Sequence, residues 1–124
     1  MAEVKMEKYY QAYDKRYQQI HNLKLQWSSD VVTPILQELT VQFGIRKTDK
    51  ILEIGCGEGR DALWLLEQGY DVLATDVSKE AISYFKKKNS KFSHLFFQLD
   101  VCEERLPQTF KFIYSISVIH MLVN

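Results

Sequence analysis

The chain has 124 residues, which supports one domain. Its 46% apolar and 26% charged residues are those of an ordinary soluble globular protein. Sixteen basic and sixteen acidic residues cancel, which excludes the electrostatic footprint expected of a protein that binds nucleic acid or an anionic membrane. Cys56 and Cys102 lack metal-type spacing and are expected to be two reduced thiols rather than a disulfide. The N-terminal residues hold no apolar core of signal-peptide length, and no run approaches the ~18 apolar residues of a membrane span. A cytoplasmic location is therefore expected.

In chain order, residues 1 to about 45 predict N-terminal helices, with Tyr9, Tyr10, Tyr13, Tyr17 and Ile20 at helix-like intervals. Ser28, Ser29 or Asp30 is the candidate cap of a second helix, with Pro34 early in it and Gly44 ending it. From about residue 46 to 124, strand and helix alternate. Strands are predicted over about 50–55, 71–76, 94–99 and 111–117, with helices over about 59–68 and 78–88. Gly69 closes the first of these helices and Ser78 opens the next. Alternation of this kind predicts an α/β fold with parallel strands joined by right-handed crossovers. Lys86, Lys87 and Lys88 read as the solvated end of a helix, where cations suit the dipole.

Residues 51–60, Ile-Leu-Glu-Ile-Gly-Cys-Gly-Glu-Gly-Arg, carry the strongest functional signal. A short apolar run ends in Gly55, Gly57 and Gly59, and a helical pattern follows, as in the first strand-turn-helix unit of a nucleotide-binding sheet. The G-x-G-x-G spacing is tighter than the dinucleotide fingerprint. With an acid, Glu53, opening the run, it resembles motif I of the class I S-adenosylmethionine (SAM)-dependent methyltransferases. Residues 55–64, then Gly69-Tyr70-Asp71-Val72 and Thr75-Asp76, resemble the small bacterial methyltransferases of the tellurite-resistance and thiopurine type. Residues 13–27 are similar to the N-terminal segment that closes over SAM in that group.

The resemblance implies a Rossmann-like doubly wound parallel sheet, here partial, with about four strands in the order 3-2-1-4 behind N-terminal helices. It also implies a set of cofactor contacts. Asp76, with Val77 beside it, ends the second strand where one carboxylate accepts both ribose hydroxyls; the rival reading is a helix N-terminal acid before Ser78. Asp100 would accept the adenine amino group, with the Val101 backbone against the ring; a simple loop acid is the alternative. Glu53 would organise the glycine turn near the methionine end, or bond local backbone N–H groups. Gly55 and Gly57 would run along the ligand, Gly59 would serve close packing, and Cys56 would be a small filler of the turn. Arg16 is a candidate partner of the methionine carboxylate, Trp27 a candidate wall, and the Ser117 backbone a neighbour of the SAM amine. His120 is the one candidate general base, against a structural role; His21 and His94 have no site context in the sequence.

The expected function is methyl transfer from SAM to a small-molecule acceptor by direct displacement, without metal. A non-catalytic SAM-binding fragment and an NAD(P)-dependent oxidoreductase are the alternatives. Family members carry seven strands, whereas this sequence stops after the fourth, at Asn124. A fragment of a longer protein, a natural short form, and a homodimer covering the strand-four edge are the three explanations, with an associating fragment preferred.

Overall fold

Two helices precede the sheet, α1 (Gln11–Asn22) and α2 (Pro34–Gln42), in a computed structural model that describes residues 11–116. Pro34 takes the first turn of α2, where its missing N–H costs nothing. The residue before it, Thr33, stands at the N-cap in place of the predicted Ser28, Ser29 or Asp30. Thr33 makes no side-chain cap, because its hydroxyl and N–H are committed to Asp61.

The alternating half follows as β1 (Lys50–Ile54), α3 (Arg60–Glu67), β2 (Asp71–Asp76), α4 (Lys79–Lys88), β3 (Phe96–Gln98) and β4 (Phe112–Tyr114). The four strands are parallel and ordered β3-β2-β1-β4, the Rossmann-like order expected. Register places Ile51 beside Val72, Glu53 beside Tyr114, and Ala74 beside Phe96. The third strand is shorter than the predicted 94–99, because residues 90–95 turn as a 3₁₀ helix. Phe92 and Leu95 of that turn pack against the core, a use of their side chains that an extended chain starting at residue 94 would forgo.

The core lies between the sheet and its helices. Ile51, Val72 and Ala74 of the strands meet Leu65 of α3 and Phe85 of α4, all 2% exposed or less. The Phe85 and Phe96 rings stack with centroids 3.5 Å apart, fixing α4 to β3. Ser78 caps α4 by accepting the Ala81 N–H at 3.1 Å. Asp14 of α1 supplements this cap, accepting the Ser78 hydroxyl at 2.7 Å and the Glu80 N–H at 3.0 Å. A carboxylate there is favoured by the α4 dipole, so α1 docks on the end of α4. Both cysteines are free. Among the described residues, no helix is long and apolar enough to cross a membrane.

The strand order matters for function. The chain moves from β1 to β2 and β3 on one side, then returns to place β4 on the other. A crevice opens beyond the carboxyl ends of β1 and β4, where ligands of open α/β sheets bind.

Candidate cofactor site

The turn leaving β1 is held from below by β2. Gly55 and Cys56 donate their N–H groups to the Thr75 carbonyl at 2.8 and 2.9 Å. Gly57 (φ +57°) and Gly59 (φ +92°) adopt left-handed backbone that other residues resist. The two positions differ in surroundings. A Cβ on Gly59 would lie 2.3 Å from Phe85 Cδ2, so this glycine lets the turn lie against α4. A Cβ on Gly57 would meet the Tyr17 hydroxyl at 3.0 Å.

Asp76 closes the other side of the turn. Its Oδ2 accepts the Gly57 N–H and its Oδ1 the Ser78 N–H, both at 2.8 Å. Burial nevertheless outweighs these two bonds and pushes the carboxyl above its ordinary value. Both oxygens retain lone pairs for a further donor.

A cavity of roughly 300 Å³ sits at the crevice. Glu53, Gly55, Cys56 and Gly57 line it from β1 and the turn, Asp76 and Val77 from β2, and Ile116 from beyond β4. Tyr13, Tyr17 and Trp27 line it from the N-terminal segment. Glu58, Asp61 and the cation Arg60 also reach it, so among the described residues acids outnumber bases and the lining favours a cationic ligand. Glu53 is the decisive member. It is 2% exposed, and its Oε1 meets no donor in good hydrogen-bond geometry among the described residues. Burial, then the nearby Asp61 charge, pushes its carboxyl up to about 8. The hydroxyl of its strand neighbour Tyr114 interacts with the Glu53 carboxyl in hydrogen-bond fashion, outside ideal geometry, and offsets part of that rise.

The acids of the turn and of α3 hold down the N-terminal segment. Glu58 accepts the Trp27 N–H at 2.9 Å, the Ser28 N–H at 2.7 Å and the Ser28 hydroxyl at 3.0 Å. Burial opposes its charge, but these donors and His21 prevail and hold the carboxyl below its ordinary value. Asp61, one turn on, accepts the Thr33 N–H and hydroxyl at 2.8 and 2.7 Å. Thus clasped, the segment sets Trp27 against Tyr17 with ring centroids 4.7 Å apart, and Tyr13 stacks on Trp27 at 6.3 Å.

Of the residues singled out in the sequence, Glu53, Gly55, Cys56, Gly57, Asp76, Val77 and Trp27 come together around this cavity. Gly59 packs on Phe85 instead, and Arg16 is exposed on α1. Asp100 and Val101 lie past β3, where Asp100 accepts the Cys102 N–H at 3.0 Å; neither lines the cavity. Ser117 and His120 fall outside the described residues. The sequence reading missed the holding roles of Glu58 and Asp61 and the place of His21. His21 has a definite context, with one ring nitrogen 2.6 Å from Glu58 and the other 2.9 Å from Glu80. A signal existed in Tyr13, Tyr17 and His21, spaced four apart and so on one helix face.

Similarity to known proteins gives the family. A model of the methyltransferase domain matches residues 51–124, more than half of the chain, and the chain belongs to that family. It is 32% identical over 79 residues to the probable S-adenosyl-L-methionine-dependent methyltransferase TehB of Haemophilus influenzae, covering 60% of this chain and 27% of the relative. It is 29% identical over 58 residues to the thiopurine S-methyltransferase of Pseudomonas fluorescens, covering 47% of this chain and 26% of that protein. The crystal structure of a TehB-like SAM-dependent methyltransferase from Corynebacterium glutamicum shares the fold. Its TM-score is 0.58 at 24% identity, over 88% of this chain and 55% of that one. The chain spans about a quarter of the length of the curated relatives it matches.

Proposed function

We propose that this chain binds SAM in the cavity beside the glycine turn and is the cofactor-binding part of an enzyme that methylates a small-molecule acceptor. The observation that carries the reading is the buried Glu53 carboxyl, whose Oε1 meets no donor in good hydrogen-bond geometry among the described residues, in the lining of an acid-rich, aromatic-lined cavity over left-handed glycine backbone. SAM bears a sulfonium and an ammonium. A buried acid that a cation would ionise and a wall of Tyr13, Tyr17 and Trp27 suit such groups, by charge and through the ring faces. The turn fits as well, since Gly57 has no Cβ to fill the space beneath Tyr17.

In this reading Asp76 accepts the ribose hydroxyls while still holding the Gly57 N–H, which couples ligand contact to turn geometry. Glu53 sits at the cationic end, and Trp27 and Tyr17 exclude water from above. SAM itself supplies the electrophilic methyl group, so the residues of this chain bind and orient rather than activate it. Asp100, Val101 and Arg16, which do not line the cavity itself, would serve the adenine and methionine ends from beyond it, and Ser117 and His120 keep their proposed methionine and base roles.

Calorimetry with SAM and S-adenosylhomocysteine tests the reading. Saturable binding, weakened by Asp76→Ala, is expected. Absence of binding to either compound, with NAD(P)H binding in its place, would overturn it.

A further inference from the structure

We propose that His21 is a positioning residue, a latch that holds the segment over residues 11–33 closed on the cofactor cavity by bridging the glycine turn to α4. The proposal rests on the cofactor reading above for its ligand, but the latch itself is a property of the chain alone.

The His21 side chain is 7% exposed, and both its nitrogens meet acids on other elements. Nε2 lies 2.6 Å from Glu58 Oε2, in the turn, and Nδ1 lies 2.9 Å from Glu80 Oε1, on α4. Carboxylates only accept, whereas a neutral imidazole carries a single N–H. Both contacts are therefore hydrogen bonds together only when the ring carries two protons. Charge-assisted bonds of this kind are about twice as strong as neutral ones. The ring also lies flat on Tyr84, with centroids 4.0 Å apart, so it is held on its face and at both edges.

Among the described residues, the groups facing it are these. Glu58 comes from the turn, Glu80 and Tyr84 from α4, and Tyr17 from its own helix at 5.8 Å between rings. Lys88 Nζ stands over the Tyr84 ring at 5.7 Å, and Asp14 is occupied by Ser78 and the Glu80 N–H. Glu58 is the same acid that accepts the Trp27 and Ser28 N–H groups. The His21 ring thus contacts the carboxylate on which the closed segment hangs. Removal of the ring leaves Glu58 and Glu80 without this shared partner and loosens the segment that carries Trp27 and Tyr17.

The test uses the whole chain, as wild type, His21→Gln and Glu80→Gln. Hydrogen exchange of the peptide over residues 23–33, corrected for intrinsic rate, is followed without ligand, together with that of the β1 and β2 peptides. The dissociation rate of S-adenosylhomocysteine is followed under the same conditions. In His21→Gln both the exchange of residues 23–33 and the dissociation should be about tenfold faster than in wild type, the effect of losing a charge-assisted hydrogen bond, while β1 and β2 exchange as before. Glu80→Gln, which keeps the Glu58 contact, should give a smaller acceleration. Wild-type protection of residues 23–33 in His21→Gln, or an equal acceleration in β1 and β2, would overturn the latch. Should the wild type bind no S-adenosylhomocysteine, the cofactor reading fails, and the exchange profile still decides the role of His21.

Discussion

Glu58 Oε2 accepts the backbone N–H of Trp27 at 2.9 Å, which ties the middle of the glycine turn to the residue walling the cavity. An acid placed between two glycines therefore serves the segment above rather than the ligand beside it. Its carboxyl is held below the ordinary 4.5 once hydrogen bonds outweigh burial. A depressed carboxyl contributes stability above its unfolded value and loses it as pH falls through the folded value. The segment is expected to detach in acid, below about pH 4.5. Trp27 emission in a Trp64→Phe background should shift red there. Glu58→Gln, which leaves only neutral bonds, should weaken docking by about 2 kcal/mol and show the shifted emission at neutral pH. An unchanged spectrum would remove Glu58 from this role.

Gly59 makes a sharper stability prediction. Gly59→Ala suffers twice, from left-handed backbone at φ +92° and from a Cβ only 2.3 Å from Phe85. Gly69 supplies the control, since it has the same φ of +92° and nothing within 4 Å of its added Cβ. Gly69→Ala should cost about 1 kcal/mol for backbone alone. Gly59→Ala should cost about 3 kcal/mol, a fall in Tm on the order of 10 °C by thermal melting. Equal losses at the two sites would mean that Phe85 yields freely.

Much of this was legible in the residues. The second strand is predicted over 71–76 and observed over Asp71–Asp76, because alternating turn and apolar signals bound it tightly. The glycine spacing located the cavity, since only a few backbone geometries satisfy Gly57 and Gly59 together. Contacts between remote segments were not legible. Glu58 meets Ser28 across 30 positions, and Ser78 meets Asp14 across 64. Neither local propensity nor period encodes such pairs. The start of α2 was missed for the same reason: Thr33, not Ser28, Ser29 or Asp30, stands at the N-cap, and its hydroxyl serves Asp61 instead of its own helix.

Asp76 should dominate ligand affinity. Its carboxylate already positions the Gly57 and Ser78 N–H groups, so Asp76→Ala removes a ligand acceptor and relaxes the turn together. Calorimetry is expected to show a loss of roughly 1.5–3 kcal/mol in S-adenosylhomocysteine affinity, about tenfold to 150-fold. The melting temperature should fall too, as the Gly57 N–H loses its acceptor. Unaltered affinity in a folded Asp76→Ala chain would place the ribose elsewhere.

Glu53 gives a pH dependence of the opposite sign to Glu58. Burial first, and the Asp61 charge next, raise its carboxyl from 4.5 to about 8. Between those values the folded chain keeps a proton that the unfolded chain has released, so stability declines as pH rises through that window. Above about 8 the folded group is charged and the full penalty is present. Glu53→Gln keeps the shape and never ionises. It should therefore melt higher than wild type at about pH 8 and no higher near pH 4.5, as differential scanning calorimetry can read. A cationic ligand reverses the preference, because it favours the ionised carboxylate. Wild type should thus release protons on binding SAM near pH 7, seen as heats that vary with buffer ionisation enthalpy, and Glu53→Gln should release fewer. Buffer-independent heats in wild type would show that Glu53 does not meet the ligand's positive charge.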